Sequence, residues 1–173
     1  MTVKEAPPGA HFDFLVDRFR RTVRSDPTLR SRLRRCCSTS DTVLVPEVHR
    51  LRHAIGDPDV STEAVGRIAI LAADSEAPNN MTLGHWLARI WGADRSSGPS
   101  REWRANCESH LDALLRTSDP DMLLRLLRAL VARAEGKVPF AAAARAIVAW
   151  ERLDTRQEIG GQIAREYAAV TSR

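Results

Sequence analysis

The sequence predicts an all-α protein, a bundle of about eight or nine helices over residues 11–173. Apolar side chains recur three or four residues apart through most of the chain, which is the spacing of an amphipathic helix. Alternating β-branched residues, which would indicate strands, extend no further than the fragment 42–45. The length of 173 residues suits a single domain of short helices with antiparallel connections.

Five helices are predicted in the first half of the chain, after a flexible tail over residues 1–10. A Ser-Asp-Pro break at 25–27 ends the first helix and caps the second, and Gly56 ends the third. Residues 38–42 are predicted as a polar loop and residues 78–80 as a turn. The predicted helices are 12–24, 28–37, 46–56, 62–73 and 82–91.

The second half of the chain is predicted to hold four more helices. Asp119 and Pro120 open one of them, Gly136 ends it, and Pro139 opens the next. The Gly- and Ser-rich stretch 92–99 predicts a flexible linker between two lobes. The lobes would comprise residues 11–91 and 100–173. The predicted helices are 100–117, 120–135, 139–152 and a last one from 154 onward.

Composition argues against membrane-spanning, secreted and disulfide-stabilised classes. No apolar run approaches the roughly 18 residues of a membrane span. The first residues lack the apolar core of a signal peptide. The three cysteines, Cys36, Cys37 and Cys107, form no CxxC pair and are odd in number. We therefore expect a cytoplasmic protein that contacts no membrane.

Arginine is unevenly distributed along the chain. Of 26 basic residues, 24 are arginines, and the formal net charge is +4. Residues 18–35 hold eight arginines and one acid, a net charge of +7, so the remainder carries −3. In the second predicted helix, Arg32, Arg34 and Arg35 surround an apolar face. A GC-rich genome would explain arginine in place of lysine but not this clustering, which favours a phosphate-binding surface over an ordinary solvated helix face.

A second group of arginines lies in the later helices. Arg125 and Arg128 lie opposite the leucine stripe of the helix predicted at 120–135. Arg104 and Arg116 lie near the two ends of the preceding helix. Arg145 interrupts an alanine-rich apolar run, where a charge would need a paired carboxylate or an anionic partner.

Motifs for catalysis, cofactors and metals are weak or absent. There is no phosphate-binding Gly-rich loop, GxSxG or HExxH motif. His49 and His53, four residues apart, lack a convincing third metal ligand. Cys107 falls on an apolar face and is expected to be a buried thiol. We therefore predict no catalytic residue, no metal site and no cofactor.

Four segments, in this order, resemble the CasB family, the small subunit of the type I-E CRISPR complex Cascade. Each segment is short, but their order, their spacing and the chain length match jointly over about residues 28–170. The segments are Leu33-Arg34-Arg35 with the Pro-led helix at Pro46; Thr82-Leu83-Gly84-His85-Trp86-Leu87-Ala88; Leu114-Leu115-Arg116 with Leu123–Arg128 and Val138-Pro139; and Arg145, Ile147–Trp150 and Ala164–Tyr167.

The resemblance implies a non-catalytic, all-α subunit that dimerises within Cascade beside the other subunits and the guide RNA. Its basic surface would contact the target DNA and the displaced strand and so stabilise the R-loop. Arginines of the family correspond to five residues here: Arg34, Arg35, Arg116, Arg128 and Arg145. The sequence departs from the family pattern at His85 and at Ser109-His110, where basic residues are common.

Two other functions fit the same composition. A helical transcription regulator would insert a recognition helix into the major groove and show sequence preference. A pure protein-interaction module would use its arginines on acidic partner surfaces and bind no nucleic acid. The sequence alone leaves both alternatives open.

Overall fold

The computed structural model describes residues 9–36, 38–78, 80–92 and 101–171, with the backbone alone at 78 and at 101–104. Ten α-helices lie within the described part of the chain, which confirms the all-α prediction. They are α1 (Ala10–Ser25), α2 (Pro27–Arg35), α3 (Thr39–Thr42), α4 (Pro46–Ile55), α5 (Thr62–Asp74), α6 (Leu83–Ile90), α7 (Arg101–Arg116), α8 (Pro120–Arg133), α9 (Phe140–Ala149) and α10 (Leu153–Thr171).

Side-chain caps and prolines place several of these helix boundaries where the sequence predicts them. The Asp26 carboxylate accepts hydrogen bonds from the backbone N–H groups of Thr28 and Leu29, at 2.9 and 3.0 Å. Pro27 therefore begins α2 behind a complete N-cap. Asp119 caps α8 by accepting one hydrogen bond, from the backbone N–H of Asp121 at 2.9 Å. Gly136 follows α8 with a φ of 77°, the left-handed conformation that glycine adopts without strain.

Two local predictions were wrong. Residues 39–42 of the predicted polar loop form the short helix α3, which begins with a capping box between Ser38 and Asp41. In place of the turn predicted to start at Pro78, Ala77–Pro78 forms a two-residue strand, β1, that pairs in parallel with β2, Lys137–Val138. The strand pair joins distant residues, which local periodicity does not report, and α3 is too short to show an apolar period.

The chain divides into two compact units, Met1–Ala73 and Asp74–Arg173. The core of the first unit forms where α1 packs against α2 and α4. Gly66 of α5 allows a close approach, because a Cβ atom there would collide with the Thr42 hydroxyl of α3. The buried face of α5 is almost wholly apolar, with Arg67 as its one buried charge among the described residues.

The core of the second unit is built where α10 packs on α6 and α9. Gly84 permits the α6–α10 contact, since a Cβ atom there would collide with the backbone at Ile163 and Tyr167. Trp86 and Trp150 are each 2% exposed and are among the largest side chains of this core. Their indole N–H groups donate to the carbonyl oxygens of Lys137 and Thr117, at 2.8 and 2.9 Å.

Other predictions fall on residues outside the described ranges. These are most of the N-terminal tail, Cys37, Asn79 and the linker over 93–99, so the proposed lobe boundary stays a prediction. Among the described helices, none is both long enough and apolar enough to span a lipid bilayer.

Candidate nucleic-acid interface

The four arginines of α2 form two flanks around its buried face. Leu29, Leu33 and Cys36 are buried, as the spacing predicts. At about 100° per residue, Arg30 and Arg34 lie on one side of this face. The other pair, Arg32 and Arg35, lies on the opposite side. The helix therefore separates its basic side chains into two groups with different surroundings.

The first flank, Arg30 and Arg34, is bonded to the end of α5. The Nε–H groups of both side chains donate to the carbonyl oxygen of Ala73, at 3.0 and 3.1 Å. This carbonyl belongs to the last turn of α5, where carbonyl groups lack partners within the helix and the helix dipole is negative. Arg34, predicted to bind phosphate, therefore also holds α2 against α5.

The second flank, Arg32 and Arg35, is exposed to solvent. The side chain of Arg32 makes no hydrogen bond or ion pair with any residue that the structure describes. No acidic residue occurs in α2, so nothing within the helix offsets this charge. Arg32 is accordingly the member of the predicted α2 set whose guanidinium is most available to an external anion.

The basic segment of the sequence also covers the second half of α1, where some of its charges are paired inside the protein. Arg20 is only 3% exposed, and its Nε and Nη2 both donate to Asp17, at 3.1 and 2.8 Å. Arg21 pairs with the other oxygen of the same carboxylate, at 3.2 Å. The expectation that all eight arginines of residues 18–35 form a surface was therefore wrong for Arg20.

Two exposed arginines of α1, Arg18 and Arg24, were not singled out from the sequence. Both side chains are exposed, and neither forms an ion pair within the described ranges. A helical projection would have found them, because Val16, Phe19 and Val23 define the buried face and both arginines lie away from it. Like Arg32, both are exposed cations of the first unit without an ion-pair partner among the described residues.

In the second unit, two predicted site residues stand beside acids. Arg116 at the end of α7 pairs with Asp112 one turn earlier, at 2.8 Å. Arg125 of α8 pairs with the N-cap carboxylate of Asp119, at 3.6 Å. Both arginines are more than 60% exposed, so these pairs are weak and solvent-screened. An approaching phosphate can compete for either side chain.

Arg128 is the most enclosed of the predicted site residues whose side chains are described. Its Nε–H donates to the carboxylate of Asp74 at 2.6 Å, and the two side chains are 32% and 21% exposed. The pair brings together residues that are 54 positions apart in the chain. Asp74 neutralises Arg128, which points to a role in holding the second unit together.

Arg145 lies on the narrow solvent face of α9 and is exposed, although the residues on both sides of it are buried alanines. The prediction that this charge needs a carboxylate or another anionic partner stays a prediction, although its side chain is not buried. Most side chains of α9 are buried, but that of Arg145 is not. The side chain of Arg104 lies outside the described residues.

The other polar candidates serve the structure. Because a carbonyl can only accept, His49 donates its Nε2–H to the Val43 carbonyl oxygen, at 2.8 Å. Cys107 is buried as predicted, and burial raises the pKa of its thiol. Burial, together with negative charge at Cys107 and Glu108, raises the pKa of Tyr167 to about 12. No cluster of three metal-ligating side chains occurs within the described residues.

The chain is similar to one known family over most of its length. The family model described as CRISPR-associated protein Cse2 matches residues 15–167. Neither a curated protein nor a solved structure matches the chain significantly. The matched range includes all eight predicted site residues: Arg32, Arg34, Arg35, Arg104, Arg116, Arg125, Arg128 and Arg145.

Proposed function

Because the chain belongs to the Cse2 (CasB) family, the small subunits of the type I-E CRISPR complex Cascade, we propose that it binds nucleic acid without sequence specificity and stabilises the R-loop. The observation that carries this proposal is the exposed flank of α2. Arg32 is available there, next to Arg35, on a helix without acids. Guanidinium groups bind phosphate through paired N–H donors and read no base sequence.

The energetics of R-loop formation suit such a surface. The guide–target heteroduplex is about as stable as the DNA duplex that it replaces, so small contributions decide the balance. Opening the duplex exposes a single strand whose phosphates attract cations. A subunit that neutralises a few of these phosphates favours the open state, and its contribution falls as the salt concentration rises.

The predicted arginines divide into principal phosphate ligands and residues that make secondary contacts. Arg32 and Arg35 are the principal phosphate ligands, with Arg34 beside them. Arg116, Arg125 and Arg145 contribute secondary contacts, and Arg128 acts mainly through Asp74. Arg104 remains a candidate on sequence grounds.

The proposed partners follow from family membership. They are the other Cascade subunits, the guide RNA, the target and displaced DNA strands, and a second copy of this chain in a dimer. The role needs no chemical reaction and no cofactor. It is exercised in the cytoplasm, where the DNA lies.

A protein-contact role is the second candidate, and one feature favours it. Leu44 is 84% exposed and Val43 is 52% exposed, in the turn that precedes α4. The hydrogen bond from His49 to the Val43 carbonyl oxygen fixes this turn. Exposed apolar side chains on a fixed turn are typical of a contact with another protein. The two roles are compatible on separate surfaces.

R-loop formation by reconstituted Cascade tests the main proposal. A complex that lacks this subunit would be supplied with the wild-type chain, with the double variant Arg32→Glu/Arg35→Glu, or with Arg165→Glu as the control. Arg165 is an exposed arginine of α10 outside the predicted set. Permanganate reactivity of the displaced strand would measure opening.

The wild type and Arg165→Glu should restore opening, whereas the double variant should restore much less while still joining the complex. Equal restoration by all three chains would contradict the proposal.

A further inference from the structure

A stripe of exposed residues on α1 combines an aromatic ring with cations. Val16, Phe19 and Val23 define the buried face of the helix. At about 100° per residue, the positions directly opposite them lie at intervals of three or four along the helix. The stripe consists of His11, Phe14, Arg18, Arg21 and Ser25, all of them exposed.

Phe14 is unusual because it is a large apolar side chain on this polar face. It is 55% exposed, although Phe is usually buried. Together with Arg18, Arg21, Thr22 and Ser25 it lines a shallow hollow on the outside of α1. The ring therefore forms one wall of a surface whose other walls are basic or hydroxyl-bearing.

The charges around the hollow favour an anionic ligand. Arg18 makes no ion pair within the described ranges, and Arg21 stays 62% exposed while it pairs with Asp17. The carboxylate of Asp17 is shared between Arg20 and Arg21, so it does not offset Arg18. Asp13 lies one turn before Asp17 and away from the centre of the stripe. A ligand that contacts Phe14 therefore meets the positive charge of Arg18 one turn later.

We infer that Phe14 stacks on an unpaired base of a bound strand while Arg18 holds a neighbouring phosphate. Residues four apart on a helix are separated by about 6 Å along its axis, so both side chains can reach one nucleotide and its neighbour. Aromatic rings beside cations are the usual means of binding single-stranded nucleic acid without sequence preference. Bases in a duplex are stacked on one another and cannot use the ring. This inference rests on the proposed nucleic-acid binding and adds a preference for single strands.

Fluorescence anisotropy with three labelled ligands of equal length tests the inference: a thymidine single strand, the same strand with abasic positions, and a duplex. Phe14→Ala should weaken binding of the thymidine strand about tenfold. It should change binding of the abasic strand and the duplex less than twofold. Phe14→Tyr, which keeps the ring, should bind like the wild type. Arg18→Ala should weaken all three ligands.

Leu153→Ala is the matched control, because Leu153 is 61% exposed and lies in the other unit. Equal weakening of the thymidine and abasic strands by Phe14→Ala would overturn the stacking role, as would unchanged binding of both. If binding is unchanged but Phe14→Ala no longer joins Cascade, Phe14 is a protein contact and the inference is wrong. The double variant Arg32→Glu/Arg35→Glu tests the proposed function separately. If that variant binds nucleic acid as tightly as the wild type, the proposed function itself is wrong.

Discussion

The Nε–H of Arg34 donates a hydrogen bond to the carbonyl oxygen of Ala73, 39 residues away, at 3.1 Å. Arg30 makes the same contact from one turn earlier in α2. Two cations thus share one carbonyl at the negative end of α5. This relationship separates the structural arginines of α2 from Arg32, which remains open to an external ligand.

Arg34→Ala should therefore destabilise the protein. A charged hydrogen bond to a helix-terminal carbonyl contributes about 1 kcal/mol when its donor is partly exposed. We expect a loss of about that size in the free energy of unfolding, measured by urea denaturation. Arg32→Ala is the control, and its effect should stay within about 0.5 kcal/mol. Equal losses from the two substitutions would refute the assigned role of Arg34.

Gly84→Ala should disrupt the contact between α6 and α10. The added Cβ would collide with the backbone of α10 at Ile163 and Tyr167, and backbone cannot rotate away. We expect a loss of about 3 kcal/mol in the free energy of unfolding. Gly160→Ala provides the contrast, because its Cβ would meet only the Leu115 side chain, at 3.5 Å. That substitution should leave the stability unchanged or raise it by about 0.5 kcal/mol. A mild effect at Gly84 would show that the two helices are less tightly packed.

Stability should fall in alkaline solution because of Tyr167. Burial raises its pKa from about 10 to about 12, so the folded state keeps the phenolic proton that the unfolded state loses. Below pH 10, the protonated Tyr167 contributes fully to the free energy of unfolding. As the pH rises from about 10 to about 12, the free energy of unfolding falls by up to about 2 kcal/mol. Tyr167 is the only tyrosine, so absorbance of tyrosinate reports this group alone. Tyr167→Phe should remove this part of the pH dependence, and a tyrosinate midpoint near pH 10 in the folded protein would contradict the prediction.

Arg128 and Arg125 should affect different properties, although both lie on α8. Arg128→Gln removes the half-buried pair with Asp74 and should cost about 1–2 kcal/mol of stability. Arg125→Gln removes a solvent-exposed pair and should cost less than about 0.5 kcal/mol. Affinity for single-stranded DNA, measured at a temperature where both variants are folded, should fall only for Arg125→Gln. If Arg128→Gln instead lowers the affinity for single-stranded DNA, Arg128 contacts phosphate directly and the prediction is wrong.

Helices were predictable because their signals are local. The apolar spacing of residues such as Val16, Phe19 and Val23 marks a buried face, and Asp26-Pro27 marks a helix start. The short helix α3 lacks such a pattern. Its buried residue, Thr42, depends on a glycine at position 66, which lies 24 residues further along the chain. The strand pair β1–β2 likewise joins residues 60 positions apart.

The candidate site was predictable only in part. Charge counting located the arginine-rich segment but could not distinguish available cations from those with partners. The partner of Arg128 is 54 residues away, and that of Arg34 is a backbone carbonyl, which no charge count includes. Only the folded chain shows that Arg20 is buried beside Asp17 and that Arg34, unlike Arg32, is bonded to the Ala73 carbonyl oxygen.

A salt titration of single-stranded DNA binding tests the central claim most directly. The dissociation constants of the wild type, Arg32→Glu/Arg35→Glu and Arg165→Glu would be measured at several salt concentrations, with random-sequence DNA as competitor. The wild type should bind all sequences alike and weaken steeply with salt, with a slope of about 0.7 per phosphate neutralised. The double variant should bind more weakly to every sequence with a shallower slope, and Arg165→Glu should resemble the wild type. Binding that is insensitive to salt, resists random competitor or is unchanged in the double variant would contradict the account.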